Sequence, residues 1–382
     1  MSAGSAARSD RFVETARRFA AEAVAPHAAA WERDRRAPRE AFEAAADAGL
    51  MGLLVPEELG GAGLDLAAMA RIMEVLAAAD LAFAFSLVVH NNLAGNIARN
   101  GEAHHHAAHL PDLIAGRRIG AFLLTEPQGG SDAANVLTTA TRTETGWRID
   151  GEKAWVTSGS HADLLSVYAQ TDPAAGHRGV ACFLAAADAP GVERLPAYAM
   201  LGSHALGAGG FRFDGLELDE AAHFIPAGRG FAAAMQGIDL ARVNVAYSAC
   251  GMLRSGLDAA IAFISHRSLF GTRNTEKQGI QWILADAASE LEAASALAAK
   301  AGAALAAGDP EGRVLAAHAK KYATRVAFDR LNDCMQVMGA WGLTHDHPLA
   351  RHLAGAKIAQ YLDGANEIQN VVIARALFGG RG

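Results

Sequence analysis

The chain has 382 residues, 51% of them apolar and 20% charged, enough material for two or three domains around a continuous core. A net charge of -7 argues against a nucleic-acid partner, because phosphate-backbone binders gather Lys and Arg on one face. The first residues lack a signal-like apolar core and no run of about 18 strongly apolar residues is uninterrupted, so no membrane partner and a cytoplasmic location are expected.

From Arg11 to about Asn100 the chain is Ala-rich with apolar residues at helical spacing, as in Phe12, Val13, Ala16, Phe19, Ala20, Ala23 and Val24. A loop interrupts it at residues 55–63, where Pro56, Gly60, Gly61 and Gly63 cannot continue a helix. Between about Gly120 and Phe224 the texture changes to short β-rich runs at 121–125, 136–145, 164–171 and 180–184, divided by polar turns. Helical periodicity returns from Gly230 in segments near 231–265, 281–307, 312–339 and 366–378, broken at Gly308-Asp309-Pro310 and around His347-Pro348. Four such helices fit a bundle. The expected domains are residues 1–119 (helical), 120–228 (a small β domain) and 229–382 (helical), with mobile tails. Cys182, Cys250 and Cys334 form no CxxC pair and are expected to be buried free thiols.

Two segments of the β domain carry chemistry. Leu124 to Asp132 packs hydroxyls, glycines and backbone donors into one turn, which suits a polar cofactor and equally suits a plain tight turn. In Gly151 to Gly159, Trp155 and Thr157 are two apart and are expected on one face of a strand, either against a planar cofactor or inside the β core. His104, His105, His106 and His109 lack a supporting carboxylate or cysteine and read as a solvated helix face, with no metal expected.

Together these motifs resemble the acyl-CoA dehydrogenase family along nearly the whole chain. Val55 to Asp65 is similar to its N-terminal loop, Thr125 to Asp132 to its TEPxAGSD signature with Gly129 for Ala, and Trp155-Val156-Thr157 to its WIT strand. Asp239 to Arg242, Arg267 to Gly271, Gln278, Leu284 to Asp286, Gln336 to Gly339 and Asp363 to Gln369 follow its C-terminal pattern. The resemblance implies a helical domain, a central β-barrel and a C-terminal four-helix bundle. It also implies a homotetramer with FAD between barrel and bundle, and electron-transfer flavoprotein as oxidant. Leu124, Thr125, Gly130, Trp155 and Thr157 would contact the flavin, and Ser131 would lie between flavin and CoA. Arg267, Phe270 and Gln278, with Gln336 and Gly339 of a neighbouring chain and with Glu367, would complete the cofactor site. Asp239, Arg242, Gly364 and Arg375 would hold the acyl-CoA or acyl-carrier thioester. Asp239 and Arg242 share a helix face, and a solvated face is the plain alternative for such charges.

The family's reaction removes an α-proton while a hydride leaves the β-carbon, so a desolvated carboxylate must serve as base. The position many members fill with glutamate is Asp363 here, and the position used by other branches is Ala241, which has no basic group. Aspartate is shorter by one C–C bond, about 1.5 Å. The structural alternative is that Asp363 caps the helix beginning near Asn366. Departures at Ala354 to Ile358, Ala365 and Leu269, and a glycine-rich stretch from Leu201 to Gly210, imply altered flavin, tetramer or substrate-channel contacts. Two rival functions remain: an oxidase or monooxygenase on the same scaffold, resembling nitroalkane oxidase, and an acyl-CoA-binding protein without a working base.

Overall fold

A computed structural model describes residues 3–379, so the outermost residues of the two tails expected to be mobile lie outside the described chain. The N-terminal helices are α1 (Ala3–Phe19), α2 (Ala28–Asp34), α3 (Arg39–Asp47), α4 (Leu66–Ala79), α5 (Leu81–Asn100) and α6 (Ala103–Ile114). Helix α1 thus starts eight residues earlier than the periodicity indicates, because residues 3–10 hold no apolar side chain larger than alanine. The 55–63 segment is a loop containing the short 3-10 turn Glu57–Leu59, with Gly60 at φ +88° and Gly63 at φ +61°. Asp80 separates α4 from α5: it leaves helical geometry at φ -158° and accepts a hydrogen bond from the Phe83 N–H at 2.8 Å. Helix α5 has the length and apolar content of a membrane-crossing helix, but 78% of that stretch is buried within the fold.

The β strands are β1 (Gly120–Leu123), β2 (Thr139–Arg142), β3 (Gly146–Val156), β4 (Leu164–Gln170), β5 (Val180–Ala186), β6 (Val192–Arg194), β7 (Gly209–Asp219) and β8 (His223–Ile225). Among the described residues they form one sheet in the order β6-β7-β3-β2-β4-β5-β8, with β1 joined parallel to β4. The sheet encloses a core of its own, including Leu123, Ile149, Val167, Phe183, Phe211 and Phe213. Its other face packs Leu164, Tyr168 and Cys182 against Leu93, Ile97 and Leu110 of the N-terminal helices. Strand β2 is shorter than the expected 136–145 run, and β7 begins inside the glycine-rich stretch whose lack of side chains hid it from pattern reading.

Helices α7 (Gly230–Ser265), α8 (Gln278–Ala306) and α9 (Gly312–Met338) form the body of the C-terminal bundle, completed by α10 (Leu349–Ala359) and α11 (Asn366–Leu377). A two-stranded hairpin, β9 (Ser268–Leu269) and β10 (Thr272–Arg273), links α7 to α8. Helix α10 is an addition to the four segments read from periodicity, which left residues 349–359 without an assignment. One apolar core runs from α1, α4 and α5 into α7, α8, α9 and α10, so both helical regions share a single interior. Small residues set its closest crossings. Gly355 lets α10 approach Met252 and Leu81, and an added Cβ at Gly251 of α7 would meet the Glu74 carbonyl of α4. Gly251→Ala therefore destabilises the protein by about 1–3 kcal/mol in urea unfolding; an unchanged midpoint would show that the crossing relaxes freely.

Candidate active site

The turn between α10 and α11 is built on two consecutive left-handed residues, Asp363 at φ +52° and Gly364 at φ +92°. That conformation is ordinary for Gly364 and strained for Asp363, at about 1–3 kcal/mol. Three side chains grip its backbone. Arg242, buried on α7, donates Nε to the Asp363 carbonyl at 3.1 Å and Nη1 to Asp239 Oδ1 at 2.7 Å. Gln369, on the buried face of α11, donates Nε2 to the Gly364 carbonyl at 2.8 Å. Lys320, fully buried on α9, donates to the same carbonyl at 2.8 Å.

Asp363 Oδ2 is buried and has no hydrogen-bond partner among the described residues. Burial pushes the carboxyl up to about 7, Arg242 and Lys320 pull it back, and Asp239 adds to the rise. Burial likewise raises Asp239 against the pull of Arg242 and Arg313, and burial lowers Arg242 against Asp239 and Asp363. A desolvated carboxyl titrating near neutrality beside fixed cations has the chemistry of a general base. The capping alternative does not hold: Ala365 is the N-cap of α11, no side chain caps it, and Asp363 lies two residues upstream. Nor do Asp239 and Arg242 form a solvated face, since Arg242 is 4% exposed. Ala241 is buried beside them and offers no titratable group.

On the β side, Glu126 organises the 124–138 segment. It accepts the backbone N–H groups of Leu137 and Thr138 at 2.7 and 2.9 Å, the Gln128 amide at 2.7 Å and the Lys153 ammonium at 2.7 Å. Lys153 also donates to the Leu124 carbonyl at 3.1 Å. Burial alone would raise the Glu126 carboxyl, but Lys153 and these donors hold it down at about 2. The Thr125 carbonyl accepts from Ala154 N–H at 2.9 Å, which ties the turn to β3 beside Trp155.

Trp155 and Thr157 do not share the face that strand alternation implies. Trp155 is left-handed at φ +56°, within a shift of register between β3 and β7 at residues 153–156. The bulge leaves the indole 62% exposed against Tyr198, with ring centroids 4.4 Å apart, while Thr157 is 8% exposed. Trp155 is therefore not a β-core tryptophan. Gly130 and Ser131 are exposed, and a Cβ on Gly130 would lie 3.3 Å from the Thr125 methyl.

The remaining assigned residues sit on the outside of the bundle. Arg267, over the Phe263 ring at 5.3 Å, precedes the hairpin whose tip, Phe270, is 98% exposed. Gln278 opens α8, Gln336 and Gly339 lie at the end of α9, Glu367 is in the first turn of α11 and Arg375 in its last, all exposed. The fold thus unites Asp239, Arg242, Asp363 and Gly364, and keeps the hairpin and α9-end residues on an open face. Sequence reasoning passed over Glu126, Lys153, Lys320 and Gln369 as functional residues. The signal for Lys320 was available, since it lies at helical spacing with Ala316, Ala323 and Ala327 on the buried stripe of α9. His105 also departs from the solvated face expected of it: it is 3% exposed, with its ring 5.4 Å from Phe224 and its Nδ1 accepting from the Glu102 N–H. The three cysteines are buried and free, as their spacing implied.

An exposed indole at a backbone bulge, a glycine turn pressed on Thr125 and an unpartnered buried carboxyl oxygen fit FAD, whose ring is flat and whose tail is polar. The chain also matches known proteins along nearly its whole length. Residues 7–117, 121–216 and 228–378 match the sequence models of the acyl-CoA dehydrogenase N-terminal, middle and C-terminal domains. An acyl-CoA dehydrogenase of Bacillus subtilis is 32% identical over 95% of this chain and 96% of its own length. Butyryl-CoA dehydrogenase from Megasphaera elsdenii superposes with a TM-score of 0.93 at 30% identity, covering 97% of this chain and 98% of that one. A glutaryl-CoA dehydrogenase from Mycobacterium smegmatis in complex with FADH2 gives 0.91 at 27% identity, covering 97% and 94%.

Fold and site together define a flavoprotein oxidoreductase. The chain belongs to the acyl-CoA dehydrogenase family. It is an FAD-dependent enzyme that dehydrogenates an acyl-CoA.

Proposed function

We propose that Asp363 is the base that removes the α-proton of the acyl thioester. The observation that carries this reading is its buried, unpartnered Oδ2 on a turn whose backbone is held by Arg242, Lys320 and Gln369. Arg242 and Asp239 hold the substrate near that turn, with Gly364 supplying backbone and Arg375 contacting the CoA part. When bound, FAD supplies the acceptor for the hydride that leaves the β-carbon. Leu124, Thr125, Gly130, Ser131, Trp155 and Thr157 hold the flavin side of the cofactor, with Ser131 also facing the substrate. Arg267, Phe270, Gln278 and Glu367, and Gln336 and Gly339 of a second subunit, hold the rest in a homotetramer. The exposed Phe270, Trp282, Trp341 and Leu343 support that assembly, because large apolar side chains in such number mark contact surfaces. Electron-transfer flavoprotein in the cytoplasm reoxidises the enzyme, and the domains divide at 119/120 and 228/229, close to the gaps between the three matched segments.

Anaerobic mixing with a panel of acyl-CoA and acyl-carrier thioesters tests the reading: a true substrate bleaches the flavin. The bleaching rate should rise with pH and level off above an apparent pKa of about 7, because only the carboxylate form of Asp363 accepts the proton. A rate that falls across that range, or a flavin that no thioester bleaches, would count against Asp363 as base. The presence of aspartate instead of glutamate keeps an oxidase as the second reading; rapid reoxidation of the reduced enzyme by air would favour it.

A further inference from the structure

Lys320 is fully buried, and the three donors of its ammonium are all used on neutral oxygens. It donates to the Gln360 carbonyl at 2.7 Å, the Gly364 carbonyl at 2.8 Å and Asn366 Oδ1 at 3.0 Å. Those three atoms span the whole turn that carries Asp363: Gln360 is the C-cap of α10, Gly364 follows the base, and Asn366 opens α11. Thr324, one helical turn further along α9, donates to the Lys320 carbonyl at 2.8 Å and accepts from the Asn366 amide at 3.2 Å, so α9 grips the same turn twice. Among the described residues, no carboxylate lies within salt-bridge distance of Lys320, whose three hydrogen bonds go to neutral oxygens. Desolvating an ammonium without a direct counter-ion is strongly unfavourable, and a methionine of similar length would avoid that penalty. A lysine here is best explained by what its charge and its three bonds do for the neighbouring carboxyl.

We propose that Lys320 is a positioning residue for the base, clamping the 360–366 turn in its left-handed form and keeping a positive charge behind Asp363. This rests on the reading of Asp363 as the base. The clamp acts on the peptide that follows Asp363, and with Gln369 on the same carbonyl it fixes the direction in which the aspartate side chain leaves the turn. The charge acts on ionisation. Around Asp363 the charged groups are Arg242 and Asp239 on α7, with Arg313 against Asp239, Lys320 on α9 and Glu367 on α11; Lys357 of α10 turns to Gln360 Oε1 at 3.1 Å. Two cations therefore oppose the burial that would protonate the base. Lys320 itself is lowered by burial to about 7 against the pull of Asp363 and Glu367, so its support is strongest at and below neutrality.

The test uses the FAD-loaded enzyme with Lys320→Met, Lys320→Gln and Asp363→Asn. Lys320→Gln keeps hydrogen-bond donors without charge and serves also if the Met variant does not fold. Infrared titration of the oxidised enzyme without substrate follows the Asp363 carboxyl band, identified by its loss in Asp363→Asn. In both lysine variants this band should titrate about one pH unit higher than in the wild type, the effect of removing a nearby opposite charge. The pH limb of flavin reduction should move with it, and Lys320→Met should lose at least about ten-fold in plateau rate from misdirection of the base. A band and limb that titrate as in the wild type, with only thermal stability reduced, would overturn the proposal and leave Lys320 a packing residue. Wild-type flavin reduction in Asp363→Asn would instead overturn the base assignment, while the infrared band would still report whether Lys320 sets the ionisation of Asp363.

Discussion

Asp363→Asn lowers the rate of flavin reduction by at least about 100-fold while FAD and substrate still bind, because the amide keeps the side chain's shape and loses its basic oxygen. The expectation is specific to this site. Arg242, Lys320 and Gln369 hold the turn through backbone carbonyls, so they remain in place when the side chain changes. Asp363→Glu probes distance: its extra methylene either restores activity through the longer reach or collides with a pocket shaped around aspartate. Stopped-flow reduction under nitrogen, at pH 8 where the wild-type carboxyl is mainly ionised, gives the comparison. A wild-type rate in the Asn variant means that another group takes the proton.

Lys153→Met is expected to cost about 3–5 kcal/mol of stability, the effect of breaking a buried ion pair from one side. Lys153 is inaccessible and Glu126 is 3% exposed, so the carboxylate left behind has no access to water. The backbone N–H groups of Leu137 and Thr138 compensate it only in part. Replacing both partners, Glu126→Leu with Lys153→Met, should recover part of the loss, since the uncompensated charge is then gone. The pH dependence has a definite sign. The Glu126 carboxyl is held at about 2, below the ordinary 4.5, so its stabilisation is complete above 4.5 and is lost as pH falls through about 2. The double variant should therefore lose less stability than the wild type between those values in urea unfolding. Equal slopes would show that the pair contributes nothing to acid sensitivity.

Much of this organisation is legible in the sequence because it depends on local periodicity. The α7 and α9 patterns, the breaks at Gly308 and Pro348, and the i, i+3 pairing of Asp239 with Arg242 all follow from spacing alone. What escaped depends on long-range contact. Strand alternation misplaces Trp155 because one left-handed residue rotates the chain, and nothing in Ala154-Trp155-Val156 marks it. Glu126 and Lys153 are 27 residues apart and meet only once the 124–138 segment folds onto β3. His105 joins its helix to the β8 residue Phe224, a contact that the polarity of four clustered histidines conceals.

The left-handed backbone of Asp363 and the burial of its carboxyl oxygen place chemistry and robustness in opposition at one residue. Its carboxyl is raised from the ordinary 3.8 to about 7, so the folded state holds the proton more tightly, and stability declines as pH rises through that window. Above neutrality the penalty is on the order of a few kcal/mol, added to the backbone strain. Laboratory evolution for heat tolerance at alkaline pH would accordingly reward glycine or asparagine at 363, yielding a sturdier flavoprotein that no longer turns over. Any programme to harden this enzyme must hold residue 363 fixed and look for its gains elsewhere in the bundle.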